Sequence, residues 1–192
     1  MSALARPAAF LDRDGVINVD TGYPHRPDEL VLTPTAARGI ARLNRAGCLV
    51  IVVTNQSGVA RGLFDLAAVD RFHAAMQAEL DRHNAHIDAF YVAPYHPDGA
   101  VARFAVDHPD RKPGAGMILR AIAEWPVDRT RAILFGDKAS DVEAAARAGI
   151  LAERLASDTC DLDAAVARWL GRLGLPDAAP ADWSSDDDAR DK

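Results

Sequence analysis

Ala8-Ala9-Phe10-Leu11-Asp12-Arg13-Asp14-Gly15 is an apolar run cut off by two carboxylates and a glycine. The run reads as a buried strand. Successive side chains on a strand point to opposite faces, so residues i and i+2 share one. Asp12 and Asp14 can therefore both face the crevice that α/β sheets open at the carboxyl ends of their strands, provided Gly15 lets the backbone turn. Two acids there can divide labour: one attacks or binds a metal, and the other carries a proton. Taken alone, an Asx-type turn closing the strand accounts for the same residues equally well.

Outward from this stretch, apolar runs alternate with helical patterns, which predicts βαβ units and a mostly parallel sheet. Strands are expected at Ala8 to Leu11, Leu49 to Val53, Ala89 to Val92, Ala132 to Phe135 and Ile150 to Leu155. Thr33-Pro34 offers a cap and a first-turn proline for one helix, which Ala46-Gly47 stops. Asp65 caps a second helix, running to about Asp81. Further helices are expected over Gly114 to Trp125, Ser140 to Ala148 and Leu162 to Leu173. Two stretches, Gly15 to Leu32 and Ala93 to Pro113, break the rhythm, and loops of that length in a small domain are functional or disordered. Residues 1–175 are expected to form a single domain. The remainder, 176–192, with its Asp186-Asp187-Asp188 run, reads as an acidic, disordered tail.

Composition narrows the function. The 192 residues are 49% hydrophobic and 26% charged, the balance of a soluble globular protein with a real core. A net charge of −6 supplies no basic field for nucleic acid, so none is expected as a partner. No segment approaches the ~20 apolar residues of a membrane span, and Met1-Ser2-Ala3-Leu4 lacks the apolar stretch of a signal peptide, so a cytoplasmic protein without a membrane partner is expected. Cys48 and Cys160 have no metal-like spacing and read as free buried thiols.

Other strand ends carry polar clusters as well. Leu49 to Val53 runs into Thr54-Asn55-Gln56-Ser57-Gly58, where a hydroxyl and backbone amides could grip phosphate oxygens or merely satisfy a turn. Ile133-Leu134-Phe135 runs into Gly136-Asp137-Lys138-Ala139-Ser140-Asp141, and Asp137 would join Asp12 and Asp14 in one crevice. Ser140 is expected to cap the helix that follows. Arg111-Lys112-Pro113 closes the second long loop with fixed positive charge, a pair that alone reads as solvated surface.

In order and conjunction, Asp12-Arg13-Asp14-Gly15, Thr54-Asn55, Lys112 and Gly136-Asp137 resemble the four motifs of the haloacid dehalogenase (HAD) superfamily of phosphatases. More narrowly, the runs Phe10 to Asn18, Val53 to Gly62, Arg111 to Pro113 and Gly136 to Lys138 resemble the D-glycero-D-manno-heptose 1,7-bisphosphate and histidinol phosphatases. The resemblance implies an α/β, three-layer Rossmann-like fold, capless because neither long loop can hold a cap domain. It implies Mg²⁺ held by Asp12, the Asp14 carbonyl and Asp137, with Asp12 as nucleophile, Asp14 as acid and base, and Thr54 and Lys112 on the phosphoryl oxygens. Crowding beside a second carboxylate would favour a protonated Asp14. Asp141 would orient Lys112. Asp20, Thr21, Gly22, Tyr23, Asn55, Gln56 and Ser57 would line the substrate, while Arg111 and Lys138 read its far groups; Arg61 is a further candidate. The implied substrate is a sugar bisphosphate of lipopolysaccharide precursor synthesis losing its C7 phosphate, with histidinol phosphate as the alternative. A monomer is expected. A phosphoacceptor receiver domain, the reading from another class, is opposed by Asp14, which is placed to hydrolyse the intermediate.

One departure stands out. The heptose and histidinol phosphatases fold the later loop around zinc with Cys-x-His and Cys-x-Cys pairs, but this chain has Ala93-Pro94-Tyr95 and His108-Pro109-Asp110 there. His108 and Asp110, even with His96, make a poor tetrahedral set, so zinc is not expected.

Overall fold

Five strands form the centre of the molecule, and the second, Leu49–Asn55, is the richest in β-branched side chains. In the computed structural model, which describes residues 4–176, they are β1 (Arg6–Leu11), β2 (Leu49–Asn55), β3 (Ala89–Ala93), β4 (Val127–Gly136) and β5 (Leu151–Arg154). The strands lie in the order β3-β2-β1-β4-β5, and every pairing is parallel. The chain steps outward from β1 to β2 and β3, then crosses to the other side of β1 for β4. This reversal opens a crevice at the carboxyl ends of β1 and β4.

Helices cover both faces, which explains why the strands read as unbroken apolar runs rather than alternating ones. Ala9, Leu11, Val50, Val52, Ile133 and Phe135 face α1 (Ala36–Arg45), α3 (Leu66–Asp81) and α6 (Leu162–Arg172), with Ile40, Phe72, Met76 and Trp169 filling that side. Ala8, Phe10, Leu49, Ile51, Val53 and Leu134 face α4 (Gly116–Glu124) and α5 (Ala139–Ala148) through Met117, Ile118, Ala144 and Ala145. A one-turn helix, α2 (Ser57–Ala60), follows β2. The three-layer, capless α/β expectation holds, and Cys48 and Cys160 are buried free thiols. The acidic tail lies outside the described residues.

Three local expectations need correction. Helix α1 starts at Ala36 rather than at Thr33-Pro34 because Thr33 is tied elsewhere: its hydroxyl donates to the Val16 carbonyl at 2.7 Å and its N–H to that of Ile17 at 2.9 Å. Ser140 does not cap α5; the Asp141 carboxylate reaches back to accept the Lys138 N–H at 2.9 Å. Strand β4 begins at Val127, before Ala132, because Arg6 N–H donates to Pro126 O at 2.7 Å and draws that segment into register. By contrast Asp65 caps α3 as expected, accepting from Ala68 N at 2.7 Å.

Candidate active site

Four charged side chains meet where β1 and β4 end. Lys112 Nζ lies 2.9 Å from Asp12 Oδ1 and 2.6 Å from Asp141 Oδ1, and all three side chains are buried. Burial opposes the ammonium of Lys112, yet Asp12 and Asp141 outweigh it and hold its pKa above the ordinary lysine range. The carboxyls of Asp137 and Asp141 are pushed up, chiefly by burial. Asp12, Asp137 and Asp141 offer oxygens that all lie within 4.8 Å of one another, the one such cluster among the described residues. Asp137 Oδ1 is buried with no hydrogen-bond partner, while Asp141 is engaged by Lys112 and the Lys138 N–H. An orphaned carboxylate oxygen beside Asp12 is a hard-oxygen donor set that fits Mg²⁺. Gly15 makes this approach possible. Its φ is +86°, and a Cβ there would sit 2.6 Å from Asp137 Oδ2.

Asp14 sits in a ring of donors. Arg13 Nε and Nη2 each donate to its carboxylate at 2.9 Å, Asn18 Nδ2 at 3.0 Å and Gln56 Nε2 at 2.9 Å. The expectation that a neighbouring carboxylate crowds it is therefore corrected: its neighbours are cationic or amide N–H groups. The same Gln56 amide donates to Thr54 Oγ1 at 2.9 Å, which ties the strand-end hydroxyl to Asp14. Arg13 itself is fully buried, packed 4.6 Å above the Phe72 ring and donating to Pro24 O at 2.9 Å. His73 Nε2 meets it at 3.4 Å, and burial, then Arg13, push the pKa of that imidazole down to about 3.

Asp14, Gln56 and Lys112 face a crevice of about 600 Å³ lined also by Asp20, Gly22, Tyr23, Asn55, Ser57, Arg111 and Lys138, with Pro113 and Ser140; the buried Asp12, Thr54 and Asp137 are not among its lining residues. Of the expected lining residues only Thr21 is missing; it is exposed and points no group into the space. Lys138 Nζ lies 3.4 Å from Asp20 Oδ2 across the mouth. Tyr23 holds a φ of 67°, a conformation rare for a side chain of its size. Asn55 lines the crevice but uses its amide on backbone: Nδ2 donates to Lys112 O and Oδ1 accepts Lys112 N–H, both at 2.9 Å. Arg61 lies outside the crevice, donating to His96 Nε2 at 3.1 Å. A larger hollow of about 780 Å³, bordered by His25, Phe64, Arg71 and Phe104, contains none of the strand-end carboxylates.

Sequence reasoning did not single out Arg13, Asn18, Ser157 or Asp158. Ser157 hydrogen-bonds Asp137, and Asp158 accepts the Asp20 N–H at 2.7 Å. The signal was available, since both follow β5 at the same sheet edge as the other carboxylates.

The positions where the resemblance implies zinc ligands offer no zinc donor set. Ala93 has no donor, Tyr95 stacks its ring on His108, and Asp110 pairs with Arg120 Nη1 at 2.9 Å. Both His96 nitrogens are also engaged, by Arg61 and by the Asp98 N–H.

A parallel sheet with aspartates following its first strand, a buried lysine and a carboxylate after β4 defines a hydrolase of HAD type. Consistent with this, a family model described as HAD-hydrolase-like matches residues 110–168. A D-glycero-β-D-manno-heptose-1,7-bisphosphate 7-phosphatase of Rhodopseudomonas palustris is 47% identical over 161 residues, covering 84% of this chain and 89% of that one. Among solved structures, a HAD-like phosphatase from Mesorhizobium loti superposes with a TM-score of 0.76 at 38% identity, covering 86% of this chain and 88% of that one. D,D-heptose 1,7-bisphosphate phosphatase of B. bronchiseptica, complexed with magnesium and phosphate, gives 0.70 at 33%, covering 88% of each chain. The chain belongs to this heptose-bisphosphate phosphatase family of the HAD superfamily.

Proposed function

We propose that this phosphatase removes the C7 phosphate of D-glycero-D-manno-heptose 1,7-bisphosphate through an aspartyl-phosphate on Asp12. The buried contact of Asp12 with Lys112, beside the orphaned Asp137 oxygen, supports the chemistry. The name carried by the R. palustris relative supports the substrate. A carboxylate and a phosphate each bearing one charge repel by about 4 kcal/mol at ~4 Å and an effective dielectric of 20, so cations are required. Mg²⁺ would be held by Asp12, the Asp14 carbonyl and Asp137, where a divalent ion offsets that repulsion.

In this reading Asp12 attacks phosphorus and the ester oxygen leaves with a proton from Asp14. Asp14 then takes a proton from the water that cleaves the acyl phosphate, releasing inorganic phosphate and restoring both acids. Thr54 and Lys112 hold the equatorial oxygens, and Gln56 keeps Thr54 and Asp14 in a fixed relation. Asp141 acts by orienting Lys112. Asp20, Gly22, Tyr23 and Ser57 contact the sugar, Arg111 and Lys138 its second phosphate. We place the enzyme in the cytoplasm as a monomer of one folding unit, residues 1–175.

Phosphate release from a metabolite panel with Mg²⁺ tests this. The heptose bisphosphate is expected to exceed histidinol phosphate, excess chelator to stop turnover, and Asp12→Asn to lose at least ~10³-fold in rate while keeping its circular dichroism spectrum. Activity persisting in Asp12→Asn would remove the nucleophile.

A further inference from the structure

The loop between β3 and α4 carries Arg111, and both ends of that residue hang on backbone carbonyls of one stacked pair, Tyr95 and His108. Its backbone N–H donates to the His108 carbonyl at 2.9 Å, and its guanidinium Nη1 donates to the Tyr95 carbonyl at 3.1 Å. The Tyr95 and His108 rings are stacked, centroids 3.8 Å apart and planes 15° from parallel. Phe104 packs edge-on against Tyr95 at 6.0 Å, and His108 Nδ1 accepts the Asp110 N–H at 3.1 Å. The stack therefore fixes the two anchors of Arg111 relative to each other. Among the described residues Arg111 forms no ion pair, and burial together with nearby Arg61 lowers its pKa from the ordinary arginine value. It is a half-buried cation at the crevice wall whose charge is left for an anion.

We propose that the Tyr95–His108 stack is a metal-free clasp that positions Arg111, making these two rings determinants of affinity for substrates with a second anionic group. The proposal rests on the bisphosphatase reading for its substrate but not for its geometry. Both rings are positioning groups that act only through Arg111.

The test is steady-state kinetics with Mg²⁺ on the heptose bisphosphate and on p-nitrophenyl phosphate, which has no second phosphate. Tyr95→Ala is expected to raise KM for the bisphosphate roughly tenfold, the weight of one charge-assisted hydrogen bond. Its kcat and its KM for the aryl ester stay within about twofold, and Tyr95→Phe restores wild-type values. In an Arg111→Ala background Tyr95→Ala adds nothing. Equal KM rises on both substrates, or additive effects with Arg111→Ala, would overturn the clasp. Where Tyr95→Ala does not fold, His108→Leu carries the same test from the other ring of the stack.

Two readouts stand apart from turnover. Stoichiometric zinc in protein purified without chelator would overturn the clasp, as would an Arg111 amide that exchanges equally fast in wild type and Tyr95→Ala. Faster exchange in the variant, with no zinc bound, is the expected result. A wild type that releases phosphate from neither substrate would overturn the phosphatase reading, and these two measurements would then decide the clasp.

Discussion

Lys112 stabilises two buried carboxylates at once, and its removal should show in both stability and rate. In Lys112→Met, Asp12 and Asp141 would face each other across the site with no cation between them. Breaking a buried ion pair from one side costs about 3 kcal/mol or more, to be read as a lower urea midpoint with unchanged slope, and turnover should fall ~10²-fold or further. At this scale the sequence was most legible where a polar residue directly follows an apolar strand, as with Asp12, Thr54 and Asp137. It was least legible where a role depends on a partner from another element. Nothing near Gln56 in the chain announces that its amide bridges Thr54 and Asp14, or that Asn55 would serve Lys112 backbone rather than substrate. At Asp14 the donors Arg13 and Asn18 lie in its own motif, and only Gln56 comes from another element.

Among the elements, α3 shows how a local cap supports a distant group. Asp65 accepts the Ala68 N–H, and seven residues on, the same helix presents Phe72 and His73 beneath Arg13. Asp65→Ala is expected to lower stability by about 1 kcal/mol in urea unfolding, with kcat changed less than twofold. That cap was readable because an aspartate before a helical pattern has one dominant local use. Thr33 looked equally suitable, but its hydroxyl had a tertiary competitor in Val16 O, and long-range hydrogen bonds override cap preference. The extension of β4 to Val127 was hidden likewise, since Asp128, Arg129 and Thr130 have no apolar pattern and are drawn into the sheet by pairing near Arg6.

For the molecule as a whole, the buried His73 makes stability depend on pH. In the folded protein it stays neutral down to about pH 3, whereas the unfolded chain takes up a proton near 6.5. Its contribution is complete above pH 6.5 and is lost as pH falls from there toward 3. Between pH 7 and pH 5 the wild type should lose about 2 kcal/mol more than His73→Gln, as measured by urea unfolding at each pH. The whole fold also separates two neighbouring residues. Lys112 is fastened to the end of β2 by the paired hydrogen bonds of Asn55, while Arg111, one peptide bond away, is fastened to the carbonyls of Tyr95 and His108 in its own loop, whose rings stack. Mutational drift in the loop can thus change what the enzyme recognises while the lysine it depends on stays in register with the sheet. A library randomised over residues 95–108 would be a direct route to new phosphate-ester specificities on an undisturbed reaction centre.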